Sequence, residues 1–166
     1  MVYLGIDYGG HKLGLATVTA DSGIASPVSV LRYTKNIEEV LLQLAQVITE
    51  WAPSTLVFGL PLQEDGSEGK TCKVIRRFAQ QLKVYYKDYL KQLAVQGPRE
   101  LIGLSVRPKL PELAFYPEYF STRFSNQGLS RKQKQEMGDA YAAAHILEKY
   151  VEWEQEKALM LASAGK

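Results

Sequence analysis

Gly5-Ile6-Asp7-Tyr8-Gly9-Gly10-His11-Lys12-Leu13-Gly14-Leu15-Ala16 puts a carboxylate at the end of an apolar run, with a glycine pair and a lysine directly behind it. Gly9 and Gly10 let the chain turn tightly and leave no side chain between the main chain and a bulky anion. An acid so placed faces whatever approaches the turn, or else it hydrogen-bonds only its own turn. Two more acids stand at the ends of elements: Glu118, between Pro117 and Tyr119, and Asp139, after Gly138. Taken singly, Asp139 could complement a helix dipole and Glu118 could be edge polarity. Taken together, Asp7, Glu118 and Asp139 are oxygen donors from three different elements. That is what a pair of Mg²⁺ or Mn²⁺ ions about 3.5–4 Å apart requires. Softer metal chemistry is poorly supplied, because Cys72 is the only cysteine and His11 and His145 are the only histidines.

Groups for an anionic polymer lie nearby in the sequence. Lys12 follows the first acid, and Arg131, Lys132 and Lys134 precede the third. Lys70, Lys73, Arg76, Arg77 and Lys83 cluster along one helical stretch, where the alternative is a solvated face. Ser67 and the backbone of Gly66 to Gly69 could meet a phosphate at the N-terminus of the helix that follows. Tyr85 and Tyr89 share a helical face and read as packing rather than as base-stacking platforms.

The elements that must carry these residues follow from periodicity. Residues 2–6 and 13–18 read as the strands of a hairpin, and 27–33 as a third strand. Apolar residues at Ile37, Val40, Leu41, Leu44, Val47, Ile48 and Trp51 are spaced for a helix, with Asn36 as N-cap and Pro53 as its stop. Residues 55–60 have buried-strand character, so strand, helix and strand form a βαβ unit that favours a parallel pair. A long helix is predicted over 70–93, with Val74, Ile75, Phe78, Leu82, Tyr85, Tyr89 and Leu93 on its apolar side. Residues 101–106 could add a strand. Residues 113–120 read as a strand in which Pro117 must sit at the end or on an edge. Residues 125–136 read as a mobile loop, Gly138-Asp139-Ala140 as the start of the last helix, and 152–166 as its fraying extension. This order predicts an α/β fold: a ribonuclease H-like mixed sheet, antiparallel in strands one to three and then parallel, with helices on both faces. A single domain spans 1–151, with 152–166 as a tail.

The chain has 166 residues, 46% hydrophobic and 23% charged, which suits one soluble domain with a sizeable core. No apolar run approaches the ~20 residues of a membrane span, and the N-terminus lacks signal-peptide layout, so no membrane partner and a cytoplasmic location are expected. The net charge of +2 permits a nucleic-acid partner without requiring one.

The first motif resembles the opening motif of the YqgF/RuvX family. The segment Val57-Phe58-Gly59-Leu60-Pro61-Leu62-Gln63-Glu64-Asp65-Gly66-Ser67-Glu68-Gly69 is similar to that family's most distinctive signature. Asp139-Ala140-Tyr141-Ala142-Ala143-Ala144-His145-Ile146-Leu147 resembles its final acidic helix, and the likeness covers residues 1–84 and 113–151. The resemblance implies a ribonuclease H-like nuclease for 5′-end maturation of precursor 16S ribosomal RNA, or for resolving Holliday junctions. Its acidic triad falls on Asp7, Glu118 and Asp139, which would be catalytic and would bind two Mg²⁺ or Mn²⁺ ions. Its first-motif lysine falls on Lys12, although the arginine usual after it is Leu13 here. The middle motif, commonly acid-Glu-Arg followed by a hydroxyl pair, reads Pro117-Glu118-Tyr119-Phe120-Ser121-Thr122, with Arg123 available for the missing arginine. Lys12, Gly9, Gly10, Ser67, Arg123, Arg131, Lys132 and Lys134 are the candidate nucleic-acid contacts. Partners would be structured RNA such as precursor rRNA, branched DNA, or ribosomal particles, met by a monomer or homodimer. The altered middle motif keeps open a module that binds nucleic acid without cutting. An actin-like sugar kinase, which shares the Gly-Ile-Asp opening, is excluded by length.

Overall fold

The computed structural model describes residues 1–96, 107–118 and 128–165. Arg123, Tyr119 and the strand expected at 101–106 lie outside the described residues.

Strands β1 (Val2–Tyr8) and β2 (Lys12–Thr19) form the expected hairpin, with Asp7 opposite Gly14 in the ladder. Strand β3 (Ser26–Arg32) pairs antiparallel with β2, with a register irregularity between Leu15 and Ala16. Helix α1 (Ile37–Trp51) begins where the Asn36 side chain accepts a hydrogen bond from the Glu38 N–H at 3.0 Å. Glu38 and Glu39 complement the positive end of its dipole. It ends at Ala52, in the left-handed conformation, whose N–H bonds the Ile48 carbonyl at 2.9 Å before Pro53 removes the next donor.

Strand β4 (Thr55–Pro61) lies parallel to β1, with Ile6 beside Phe58. The α1 crossover therefore lands not next to β3, from which it starts, but three places along the sheet, on the far side of β1. Helix α2 (Lys70–Gln96) leads toward β5 (Glu112–Glu118), which is parallel to β4. The sheet order β3-β2-β1-β4-β5 makes β5 an edge strand among the described residues, and Pro117 is its penultimate residue. An edge is where a missing N–H is tolerated. This is the mixed sheet of a ribonuclease H-like fold.

Both faces are covered. Leu4, Ile6, Leu13, Leu15, Leu56, Phe58 and Leu60 pack against α1 and α2, with Leu44, Ile48, Phe78 and Leu82 facing them. Ala16, Val18 and Val57 pack against Ala143, Ile146 and Leu147 of helix α3 (Arg131–Ala164). Each large side chain removed from water contributes about 1.5–3 kcal/mol.

Two helix readings need correction. On α2 the buried row is Ile75, Phe78, Ala79, Leu82 and Tyr86, whereas Val74 is 48% exposed and Tyr85 and Tyr89 are only partly buried. Counting 3.6 residues per turn from Ile75 reaches Tyr86, not Tyr85, and places Val74 a full step off the face. Tyr85 and Tyr89 still pack against the core from partly buried positions, and the buried tyrosine is Tyr86, whose hydroxyl lies 3.3 Å from that of Thr49.

Helix α3 starts at Arg131, not at Gly138. Ser130 accepts from the Gln133 N–H at 3.2 Å and the Gln133 side chain accepts from the Ser130 N–H at 2.9 Å, a reciprocal capping box. Arg131, Lys132 and Lys134 therefore lie on the first turn of a helix rather than in a loop, and Asp139 sits two turns inside it. The same helix runs without a break through the expected tail to Ala164.

Candidate active site

Side chains alternate across a strand, so one face of the sheet carries every second residue. On the α3 face that row is Tyr3, Gly5 and Asp7 on β1, Lys12, Gly14, Ala16 and Val18 on β2, Val57 and Gly59 on β4, and Ala114, Tyr116 and Glu118 on β5. The glycines in it let α3 approach. A β-carbon on Gly5 would press on Leu147 and the Ala143 carbonyl, and one on Gly14 would overlap the Asp139 carbonyl and the Ala140 amide. One on Gly59 would overlap the Glu118 carboxylate and Ile146.

Those glycines place the acids. Asp7 is paired with Gly14, over which Asp139 passes, and the β1–β4 register carried one residue beyond Ile6 and Phe58 sets it beside Gly59, over which Glu118 folds. All three acids are partly buried. Their proximity shows in Asp7, whose carboxyl is pushed up to about 7, first by burial and then by the charges of Glu118 and Asp139, with Lys12 opposing.

This shift predicts a pH-dependent stability. The folded state holds the Asp7 proton to higher pH than the unfolded chain, so stability falls as pH rises from about 4 to about 7. Chemical denaturation of the metal-free protein at pH 5 and pH 8 is expected to show the Asp7 contribution, about 2–4 kcal/mol, lost at the higher pH.

Lys12 extends from β2 to α3 and pairs with Asp139, Nζ to Oδ2 at 2.8 Å. Among the described residues no group of three His, Cys, Asp or Glu side chains is already gathered closely enough to hold a metal ion. The expectation of three acids poised around shared ions is corrected to that extent. The donor chemistry nevertheless fits a hard divalent cation. Carboxylates from three elements share one sheet face, and burial, then the charges of Glu118 and Asp139, push the Asp7 carboxyl up to about 7, a cost that an incoming cation would offset.

The signature segment between β4 and α2 braces Glu118. The Leu62 N–H bonds the Glu118 carbonyl at 3.3 Å, and Leu62 forms a bridge with Glu68. Arg76 holds Glu68 with a fork of 2.9 and 2.5 Å, and its guanidinium lies 4.5 Å over the Phe115 ring. Arg76 is thus engaged within the fold. Ser67 serves its own turn: its hydroxyl bonds Asp65 at 2.6 Å and Gln63 at 2.9 Å. That pattern does not present the hydroxyl to a phosphate.

At the hairpin tip the two glycines differ. Gly9 bonds the Lys12 carbonyl through its N–H at 2.9 Å, and a β-carbon would crowd that oxygen. Gly10 is exposed and open, and neither glycine needs a left-handed backbone. Tyr33, which motif reading overlooks, donates its hydroxyl to the Gly9 carbonyl at 2.9 Å and fixes the tip. Arg131, Lys132 and Lys134 are exposed on the turn of α3 that leads to Asp139, and Arg32 ties that turn to β3 through the Gln135 carbonyl at 3.2 Å. The structural roles of Gly14 and Gly59 were also missed. Alternation within a strand does not supply the register between strands, which is what places them on the face of Asp7.

Comparison with known proteins bears on the family and the fold. Residues 1–96 match the family described as RuvX, Holliday junction resolvase. A protein of Anaeromyxobacter sp. named "Putative pre-16S rRNA nuclease" is 34% identical over 92% of the chain and 97% of its own length. One of the same name from Rhodospirillum centenum is 32% identical over 87% of the chain and 70% of its own. Among solved structures, T. thermophilus RuvC in complex with a Holliday junction substrate superposes with a TM-score of 0.50 at 13% identity, covering 94% of this chain and 96% of that one. At that identity the likeness speaks for the fold.

Proposed function

The chain belongs to the RuvX family, and from that premise we propose that it is a divalent-metal-dependent nuclease that trims the 5′ end of precursor 16S ribosomal RNA. The observation that carries this reading is the convergence of Asp7, Glu118 and Asp139 on one sheet face, registered in the Asp7 carboxyl at about 7. The names of the curated relatives supply the substrate class.

In this reading Asp7, Glu118 and Asp139 would hold a pair of Mg²⁺ or Mn²⁺ ions. When bound there, the ions supply Lewis acidity for activating water and stabilising the leaving 3′ oxygen of a phosphodiester. Asp7 stands between the other two acids and gives up its proton as positive charge enters. Glu118 is kept facing inward by the absent side chain of Gly59 and the Leu62 bond to its carbonyl. Pro117 costs no needed ladder bond on the edge strand, so loss of the family's flanking acid leaves the glutamate itself in place. Arg131, Lys132 and Lys134 begin about 12 Å along the helix axis from Asp139, a reach of some two nucleotides for phosphate neutralisation. Residues 1–151 form the nuclease domain and the rest of α3 is an extension of it. Among the described residues no helix is long and apolar enough to cross a membrane, and the site of action is the cytoplasm.

Resolution of Holliday junctions is the second reading, favoured by the description of the matching family. Incubation with Mg²⁺ and either a precursor-rRNA leader or a four-way DNA junction separates them. Faster cleavage of the leader, by tenfold or more, is expected. Preferential cutting of the junction would assign the second reading, and binding of both without cleavage would leave a binding module.

A further inference from the structure

Among the described residues, Lys12 is a cation that meets the acids directly: it pairs with Asp139 and opposes the upward shift of Asp7. It projects from β2 on the same sheet face as Asp7 and reaches Asp139 on α3 at 2.8 Å. The pair is open to solvent, with the lysine and aspartate side chains 45% and 31% exposed. Such an ion pair contributes little to stability and exchanges readily. While it stands, Asp139 points an oxygen at an ammonium, and no three acids among the described residues are arranged to hold an ion. Beyond the exposed His11 is the hairpin tip, where even a β-carbon on Gly10 would meet open space. A four-carbon stem lets the ammonium move between these two surroundings without moving the strand.

Building on the nuclease reading, we propose that Lys12 is the resident counter-ion of the acidic cluster: it neutralises Asp139 in the metal-free protein, releases it when a divalent cation binds, and turns its ammonium to a phosphate of the substrate. Loading of the site is therefore an exchange of cations on Asp139. The acids are never left facing one another uncompensated, and the phosphate-binding charge becomes free when the ions are in place. Two surroundings for one ammonium also give the site an ordering: a phosphate competes with Asp139 for Lys12, so substrate and metal favour each other's binding.

The test uses the full-length protein with Mg²⁺ alone. Calorimetric titration is run on the natural protein, on Lys12→Met, which keeps the stem and removes the charge, and on Lys12→Arg, which keeps the charge. In parallel, the side-chain amine resonance of Lys12 is followed by NMR through the same titration. The expected result is that Lys12→Met binds Mg²⁺ about three- to tenfold more tightly and Lys12→Arg more weakly. The Lys12 resonance should move from its ion-paired to a solvent-exposed position with the same midpoint as the heat. Tighter binding by Lys12→Met with an unmoved Lys12 signal would mean a passive nearby charge, and would overturn the exchange. So would unchanged affinity in Lys12→Met. Mg²⁺ binding with Lys12 still on Asp139 defeats this inference alone, whereas no Mg²⁺ binding by any of the three proteins defeats the nuclease reading with it.

Discussion

Replacing Asp7 with asparagine is expected to lower the single-turnover rate of RNA cleavage by about 10³-fold, the loss of several kcal/mol of transition-state stabilisation. The fold should survive, because asparagine has the same shape and Asp7 carries its charge at a cost. That carboxyl is pushed up to about 7 by burial and by the charges of Glu118 and Asp139. At pH 8 it is ionised in an unfavourable place, and the neutral amide removes the repulsion. Asp7→Asn should therefore be more stable than the natural protein at pH 8, by about 2–4 kcal/mol, and nearly equal to it at pH 4, where the natural carboxyl is protonated too. Denaturant titrations at the two pH values check the sign, and single-turnover cleavage in Mg²⁺ checks the rate. Adding Mg²⁺ at pH 8 should stabilise the natural protein and leave Asp7→Asn little changed. A variant that is inactive and also destabilised at both pH values would show Asp7 to be a structural residue. A variant that cuts at the natural rate would remove the proposed chemistry.

Much of this arrangement could be read before any coordinates. The apolar runs of β1, β2 and β4, and the cap-to-proline span of α1, are local patterns that tertiary contacts reinforced. The start of α3 escaped because residues 130–136 are almost wholly polar. With no apolar period to follow, Gly138 looked like the beginning of a helix that was already two turns old. The capping box at Ser130 and Gln133 was the available signal. Likewise the charges were visible but their partners were not. Arg76 stays open between a phosphate contact and a solvated face, because nothing local shows that it holds Glu68 and covers Phe115. Lys12 looked free for the same reason, since Asp139 reaches it only after α3 has crossed β2. Residue types revealed which groups could do chemistry, and only the packing of α3 showed which of them are already engaged.

That packing makes Gly14→Ala the substitution with the largest expected effect on stability. The new methyl would overlap the Asp139 carbonyl and the Ala140 amide, both main chain, so no side-chain rotation can relieve it. Helix α3 would have to lift from the sheet, opening its contact with Ala16, Val18 and Val57. A loss of about 3 kcal/mol or more is expected, at or beyond the upper end of ordinary overpacking, because backbone yields less than a side chain. Gly10→Ala is the control: it meets open space in an ordinary backbone conformation and should change stability by less than about 0.5 kcal/mol. Gly59→Ala separates the two roles of the α3 face. Its methyl meets the Glu118 carboxylate and the tip of Ile146, both side-chain ends that can move. It should therefore cost less in stability than Gly14→Ala while still lowering activity by about 10²-fold, the usual consequence of misplacing a catalytic group by an ångström. Urea titrations of the three variants rank the stabilities, and cleavage assays at a temperature where each is folded rank the activities. Should Gly14→Ala prove as stable as Gly10→Ala, α3 does not press on β2 at Asp139, and the route by which the fold brings that acid to Asp7 would have to be abandoned.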